Sequence, residues 1–274
     1  MLKQRLMTAA ILIPLVVLSI LYLSSTAIQW LLAIVTGLAA WEWFSIIGFN
    51  SQGKKLFASI TLIFTTVIVT LLPVGILLIL VAAIWGLVSL FIQHFAHQTL
   101  PDHVQKIFKQ ENVALIMATV VLALFWQCAV LLHASSELGP QQLLYAMVLV
   151  WLADTGGYFA GKRWGKKKLA KAISPNKTWE GVAGAIVLGS VWGLLAFYFG
   201  LAGSLGFIAW IFLSAATLLI SVIGDLFESL FKRCYDVKDS GNLLPGHGGM
   251  LDRIDSLIAA IPVFFTGLYF LGAF

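Results

Sequence analysis

The chain has 274 residues, of which 60% are hydrophobic and 11% charged, and its formal net charge at neutral pH is +5. Soluble domains carry about 25% charged and about 45–50% apolar residues, so a cytosolic enzyme, a disordered chain and a fibrous repeat are excluded. What remains is an all-α, polytopic integral membrane protein, whose basic excess suits cytoplasmic loops and anionic headgroups rather than nucleic acid.

A bilayer core about 30 Å thick takes roughly 20 apolar residues of helix. Runs of this kind predict about nine transmembrane helices, at 6–23, 27–48, 56–72, 74–93, 113–133, 141–160, 182–200, 206–224 and 256–273. The first run exceeds the roughly 7–15 apolar residues of a signal peptide and reads as a retained span. With nine spans, the segments on the N-terminal side are 1–5, 49–55, 94–112, 161–181 and 225–255, and they hold all 17 Lys and Arg residues. The positive-inside rule then predicts a cytoplasmic N-terminus and an outside C-terminus. Cys128 and Cys234 are far apart, one in an apolar run and one beside Lys232 and Arg233, which argues against a disulfide.

No loop is long enough to bury a core of its own, and no repeat or inverted pair of broken helices is visible. Eight of the twelve acidic residues fall after residue 150. Residues 1–110 therefore read as a transmembrane scaffold. Residues 111–274 read as the catalytic region, with cytoplasmic-face loops 161–181 and 225–255.

The sixth run contains Asp154, followed by Gly156 and Gly157. A carboxylate in a span costs roughly 2.5–3.5 kcal/mol on insertion scales and needs a partner. A packing aspartate paired with Lys162 is the plain alternative to a functional one. Next comes a basic stretch, Lys162 to Lys168, which also serves as a topology signal, and then Ser174-Pro175-Asn176-Lys177-Thr178. Pro175 suits the first position of a helix with Ser174 as its N-cap, an end that favours phosphate. The seventh span carries Gly181, Ala185, Gly189 and Gly193 at four-residue spacing. That small face lets another helix approach, within the chain or across a homodimer seam.

The segment from Gly224 to Ser256 is the richest in chemistry. Asp225, Glu228, Ser229 and Lys232 share one helix face. Asp252 and Asp255 form a second pair, and a Pro-Gly-His-Gly-Gly turn between the two pairs must fold back. Asp225, Glu228, Asp252 and Asp255 are candidate oxygen ligands for Mg²⁺. Lys232, Arg233, Lys238 and Arg253 would clamp phosphates. Carboxylates, Mg²⁺ and basic clamps suit phosphoryl or nucleotidyl transfer, where charge builds on phosphate oxygens.

Residues Ser229 to Asp255 resemble the signature of the phosphatidate cytidylyltransferase (CDP-diacylglycerol synthase) family. That signature runs Ser-x-apolar-Lys-Arg, then Lys-Asp-x-small, then apolar-Pro/Gly-x-His-Gly-Gly-x-x-Asp-Arg-apolar-Asp. Asp154 to Lys162 and Ser174 to Gly181 resemble the family's two other blocks, in order. Residues 1–110 share only their hydrophobicity with it.

The resemblance implies that CTP and phosphatidic acid give CDP-diacylglycerol and pyrophosphate with Mg²⁺, and leaves room for a second cation. It also implies phospholipid biosynthesis at the inner (plasma) membrane of a bacterium. Asp225 and Asp252 become the leading metal ligands, with Glu228 and Asp255 close by. Asp154, Lys162, Ser174, Asn176, Lys177, Ser229, Lys238, Asp239, Gly248 and Gly249 become candidate substrate contacts. His247 is a loop organiser or phosphate donor in the catalytic set. The rival readings are a related CTP-using lipid enzyme, such as a polyprenol or phytol kinase or a synthase acting on an ether lipid, and a cation or metabolite transporter. Against the transporter, only Glu42 and Asp154 lie within spans. Glu42, between Trp41 and Trp43, has no assigned role: it pairs with a base across the bundle or lines a lipid cleft.

Overall fold

The computed structural model describes residues 2–98, 100–241, 243 and 248–273, with side chains from residue 10 onward. It is an all-α bundle of α1 (Leu2–Tyr22), α2 (Ser25–Ile46), α3 (Gln52–Leu71), α4 (Val74–Phe95), α5 (Asp102–Phe108), α6 (Glu111–Ala134) and α7 (Gly139–Trp164). A small hairpin of β1 (Lys168–Ala170) and β2 (Ser174–Thr178) follows. The chain ends with α8 (Trp179–Tyr198), α9 (Phe207–Cys234), α10 (Leu251–Ile254) and α11 (Leu257–Phe270). Among the described residues, eight helical stretches are long and apolar enough to cross a membrane, α10 and α11 counting as one, and α1 adds the shorter apolar stretch Ala10–Tyr22. Each expected run overlaps one of these helices, though the ends differ.

Large apolar side chains cover the outside of the bundle, including Leu71, Phe212 and Ile208. In lipid this exterior carries no penalty, because helices satisfy their own backbone. The centre is α6, whose inward residues Ala114, Ala118, Leu122, Cys128 and Leu132 are buried. It packs against α2, α3, α7 and α11. Cys128 and Cys234 are both buried free thiols.

The expected helix start at Ser174 and Pro175 is not what the chain adopts. Ser174–Thr178 pairs antiparallel with Lys168–Ala170. Proline is tolerated here because a two-stranded hairpin leaves each strand an unpaired edge. The true N-cap is Thr178, whose hydroxyl accepts the Gly181 amide at 3.1 Å. Glu180 accepts the backbone amides of Lys166 (3.0 Å) and Lys167 (3.2 Å), which holds the start of the hairpin against α8.

The glycines of α8 serve packing inside this chain. A Cβ on Gly156 would lie 2.5 Å from the Gly184 carbonyl, and one on Gly181 would lie 3.0 Å from the Gly157 carbonyl. Gly189 faces Leu149 and Leu218, and Gly193 faces Tyr145 and Ser214. So α7 and α8 approach to backbone contact, and Gly156 and Gly157 permit that approach without breaking α7.

The helix α9 has 28 residues, about 42 Å at 1.5 Å per residue, against a bilayer core of about 30 Å. It runs ten residues past its expected end at 224. Its last turns carry the charged face.

Candidate active site

The site forms from side chains of α7, β2, α9 and α10 and from Asp255, which links α10 to α11. Gly224 sets the spacing: a Cβ there would lie 2.8 Å from both the Ala259 Cβ and the Asp255 carbonyl. The close crossing that glycine allows brings Asp225 against the start of α11. Asp225 forms an ion pair with Lys177 of β2 and accepts the Ser229 hydroxyl at 3.2 Å. Asp154 of α7 and Asp255 complete this group: the charges of Asp154, Asp225, Glu228 and Lys177 all act on Asp255. Burial works against the Lys177 ammonium, but Asp225, Asp154 and Asp255 outweigh it and hold its pKa above the usual lysine value.

A second group centres on Lys232, one turn beyond Glu228. Its ammonium lies 2.6 Å from Glu228 Oε2 and 2.7 Å from Asp252 Oδ1. The Glu228 side chain is 2% exposed and that of Lys232 12%, so this pair is shielded from water. Asp252 is further held by the Ser240 amide (3.1 Å) and the Gly249 amide (2.9 Å). Gly248 adopts φ +82°, a left-handed backbone that L side chains rarely adopt, and a Cβ there would lie 2.9 Å from Asp252 Oδ2. Gly249 is packed so closely that a Cβ would collide with Ser240 and Glu42.

The remaining expected residues surround these two groups. Arg233, Lys238, Asp239 and Arg253 are exposed. Asn176 is exposed and Ser174 half-buried on β2. Lys162 lies over the Tyr158 ring at 5.6 Å rather than on Asp154. His247 lies outside the described residues.

Among the described residues, no three His, Cys, Asp or Glu side chains are arranged to hold a metal ion. The four expected ligands are divided instead: Asp225 on Lys177, Glu228 and Asp252 on Lys232, and Asp255 between the groups. The donor set still fits Mg²⁺ by its chemistry. It is all carboxylate oxygen, which suits a hard cation. Asp154, Asp225, Glu228, Asp252 and Asp255 outnumber Lys177 and Lys232, and buried Glu228 Oε1 has no hydrogen-bond partner among the described residues.

The model of the family described as "Cytidylyltransferase family" matches residues 3–271. The chain belongs to the cytidylyltransferase family. It is 39% identical over 274 residues to the phosphatidate cytidylyltransferase of Pseudomonas aeruginosa, covering 99% of this chain and 98% of that one. The enzyme of the same name from Bacillus subtilis is 44% identical over 172 residues, 61% of each chain. That from Haemophilus influenzae is 53% identical over 131 residues, 47% of this chain and 45% of the relative. This cytidylyltransferase is therefore a multi-pass membrane nucleotidyltransferase.

Two of its site residues escaped the sequence. Ser240 stands at an unrestricted position of the signature, between Asp239 and the small Gly241, and Glu42 is nearly two hundred residues away on α2. Glu42 Oε2 accepts the Ser240 hydroxyl at 3.0 Å and the Leu251 amide at 2.9 Å. Glu42 also lines a cavity of about 280 Å³ with Leu38, Trp41, Ser45, Ser240, Gly241 and Leu243. Only its position in an apolar span, where a carboxylate is costly, signalled a role.

Proposed function

We propose that this cytidylyltransferase joins CTP to phosphatidate, giving CDP-diacylglycerol and pyrophosphate, at the cytoplasmic face of a bacterial inner membrane. The observation that carries the reading is the convergence of five carboxylates from α7, α9, α10 and the α10–α11 link with Lys177 and Lys232. A membrane lipid presents its phosphate at that level. The relatives named phosphatidate cytidylyltransferase support the choice of substrates. The placement of every Lys and Arg on one side of the nine expected spans supports the orientation.

An oxygen of the lipid phosphate attacks the α-phosphorus of CTP, and the bond to the pyrophosphate oxygen breaks in line with it. The lipid phosphate is already anionic, so no protein nucleophile is needed. Arg233, Lys238 and Arg253, exposed beside the carboxylates, meet the triphosphate and lipid phosphates as charge-assisted donors. Lys177 and Lys232 hold the acids apart and in place. Asp225, Asp252, Glu228 and Asp255 would hold Mg²⁺, with a second cation as a further possibility of the same donor set. Mg²⁺ would supply positive charge to the phosphate oxygens.

The test is purified protein in phosphatidate vesicles with CTP labelled at the α-phosphate. One labelled CDP-lipid per pyrophosphate, lost on chelation and restored by Mg²⁺, is the expected result. CDP released with a phosphorylated lipid would point to a kinase, and solute flux without CTP turnover to a transporter; either overturns the reading.

A further inference from the structure

We infer that Glu42 is a positioning residue, which sets the orientation of Asp252 through Ser240 without touching substrate. The inference rests on the proposed reaction. Glu42 is 7% exposed, on a helix otherwise given to apolar packing. A buried carboxylate with no compensating role would be a large unrecovered cost. Here its Oε2 accepts two bonds from the returning loop, the Ser240 hydroxyl and the Leu251 amide.

The first bond has a geometric consequence. Because the Ser240 hydroxyl hydrogen points at Glu42, its oxygen is free to accept the Asp252 amide, at 3.3 Å. The Ser240 amide in turn reaches both Asp252 oxygens, at 3.2 and 3.1 Å. The Leu251 amide is in the first turn of α10, where backbone N–H groups lack intrahelical partners, so Glu42 also anchors the helix that bears Asp252.

The surrounding glycines make room for this contact. A Cβ on Gly241 would lie 2.6 Å from Glu42 Oε1, and one on Gly249 would collide with Oε2. Two glycines of the loop thus admit a carboxylate from α2. The path from Glu42 through Ser240 ends on the residue held by Lys232.

The test compares Glu42→Ala, Glu42→Gln and Ser240→Ala in the full-length protein in lipid vesicles. Misplacement of a reacting group by a distant change costs about 100-fold in rate. Glu42→Ala and Ser240→Ala should each lower kcat by about that factor, with KM for CTP and phosphatidate within about threefold of wild type. The Gln amide oxygen can accept both bonds, so Glu42→Gln should recover most of kcat. Hydrogen exchange of the segment 238–252 should be faster in Glu42→Ala and near wild type in Glu42→Gln.

Wild-type kcat in a folded Glu42→Ala variant overturns the inference. So does a folded Gln variant as impaired as the Ala variant, or a defect confined to KM. If the wild-type protein forms no CDP-lipid, the proposed reaction fails instead, and the exchange experiment still decides whether Glu42 holds the loop.

Discussion

Lys232 bridges two of the site's carboxylates, and one of them, Glu228, is almost wholly shielded. Removing one member of a buried ion pair leaves an uncompensated charge and costs about 3–5 kcal/mol. Lys232→Met should therefore unfold at clearly lower temperature in detergent as well as lose turnover; wild-type thermal stability would show that Glu228 and Asp252 do not depend on it. Lys177 gives a pH test. Its pKa is raised by Asp225 and its acidic neighbours, so the stability of this pair is fully present below the unfolded lysine value, about 10.4. It is lost only as pH rises through the higher folded value. The stability difference between wild type and Lys177→Gln should then be the same at pH 7 and pH 9, and a difference that shrinks across that interval contradicts the assignment. At this scale the sequence was most informative where charges cluster: Asp225, Glu228, Ser229 and Lys232 do lie together on α9, with Ser229 bonded to Asp225 and Lys232 paired with Glu228. Ser240 carried no signal, and Glu42 stood out only as a costly carboxylate in a span; their shared contact joins segments nearly two hundred residues apart, which local spacing cannot express.

Helix crossings place those side chains, and glycines set the crossings. Gly184 faces the Gly156 carbonyl, where a Cβ would lie 2.6 Å away. Gly86, in the lipid-facing α4, would meet nothing within 4 Å. Gly184→Ala should force α7 and α8 apart, lowering both thermal stability and turnover. Gly86→Ala should be neutral or stabilising by roughly 0.5–1 kcal/mol through helix propensity. Equal effects at the two positions would mean that the crossing is not tightly packed. Apolar periodicity and length sufficed to find the helices, because lipid admits no other way to satisfy the backbone. They did not find the end of α9, since nothing in hydropathy stops a helix at the interface and its polar face continues the same turns. They also misplaced the start of α8. Ser174 and Pro175 have the chemistry of a cap, but Thr178 and Glu180, three residues or more further on, hold the Gly181, Lys166 and Lys167 amides instead.

For the whole molecule, the proposed topology counts α1 with the eight longer stretches; nine spans would place the termini on opposite sides, with every Lys and Arg on the N-terminal side. Reporter fusions or cysteine labelling should find loops 161–181 and 225–255 on the cytoplasmic side and residue 273 outside; labelling of both loops from outside would reverse the orientation. Hydropathy was enough to read the membrane class: among the described residues eight of the nine expected runs fall in stretches long and apolar enough to span, and the first falls in α1 with its shorter apolar stretch Ala10–Tyr22. The meeting of α2, β2, α9 and α10 at one point was not legible, because in lipid it is fixed by small-residue packing and a few polar contacts. The measurement that bears most directly on a site built around Asp252 is steady-state CDP-diacylglycerol formation by Asp252→Asn in phosphatidate vesicles. The account predicts a fall in kcat of at least about 100-fold, the scale of losing one group that organises transition-state charge, in a protein that remains folded. Turnover at the wild-type rate would contradict it.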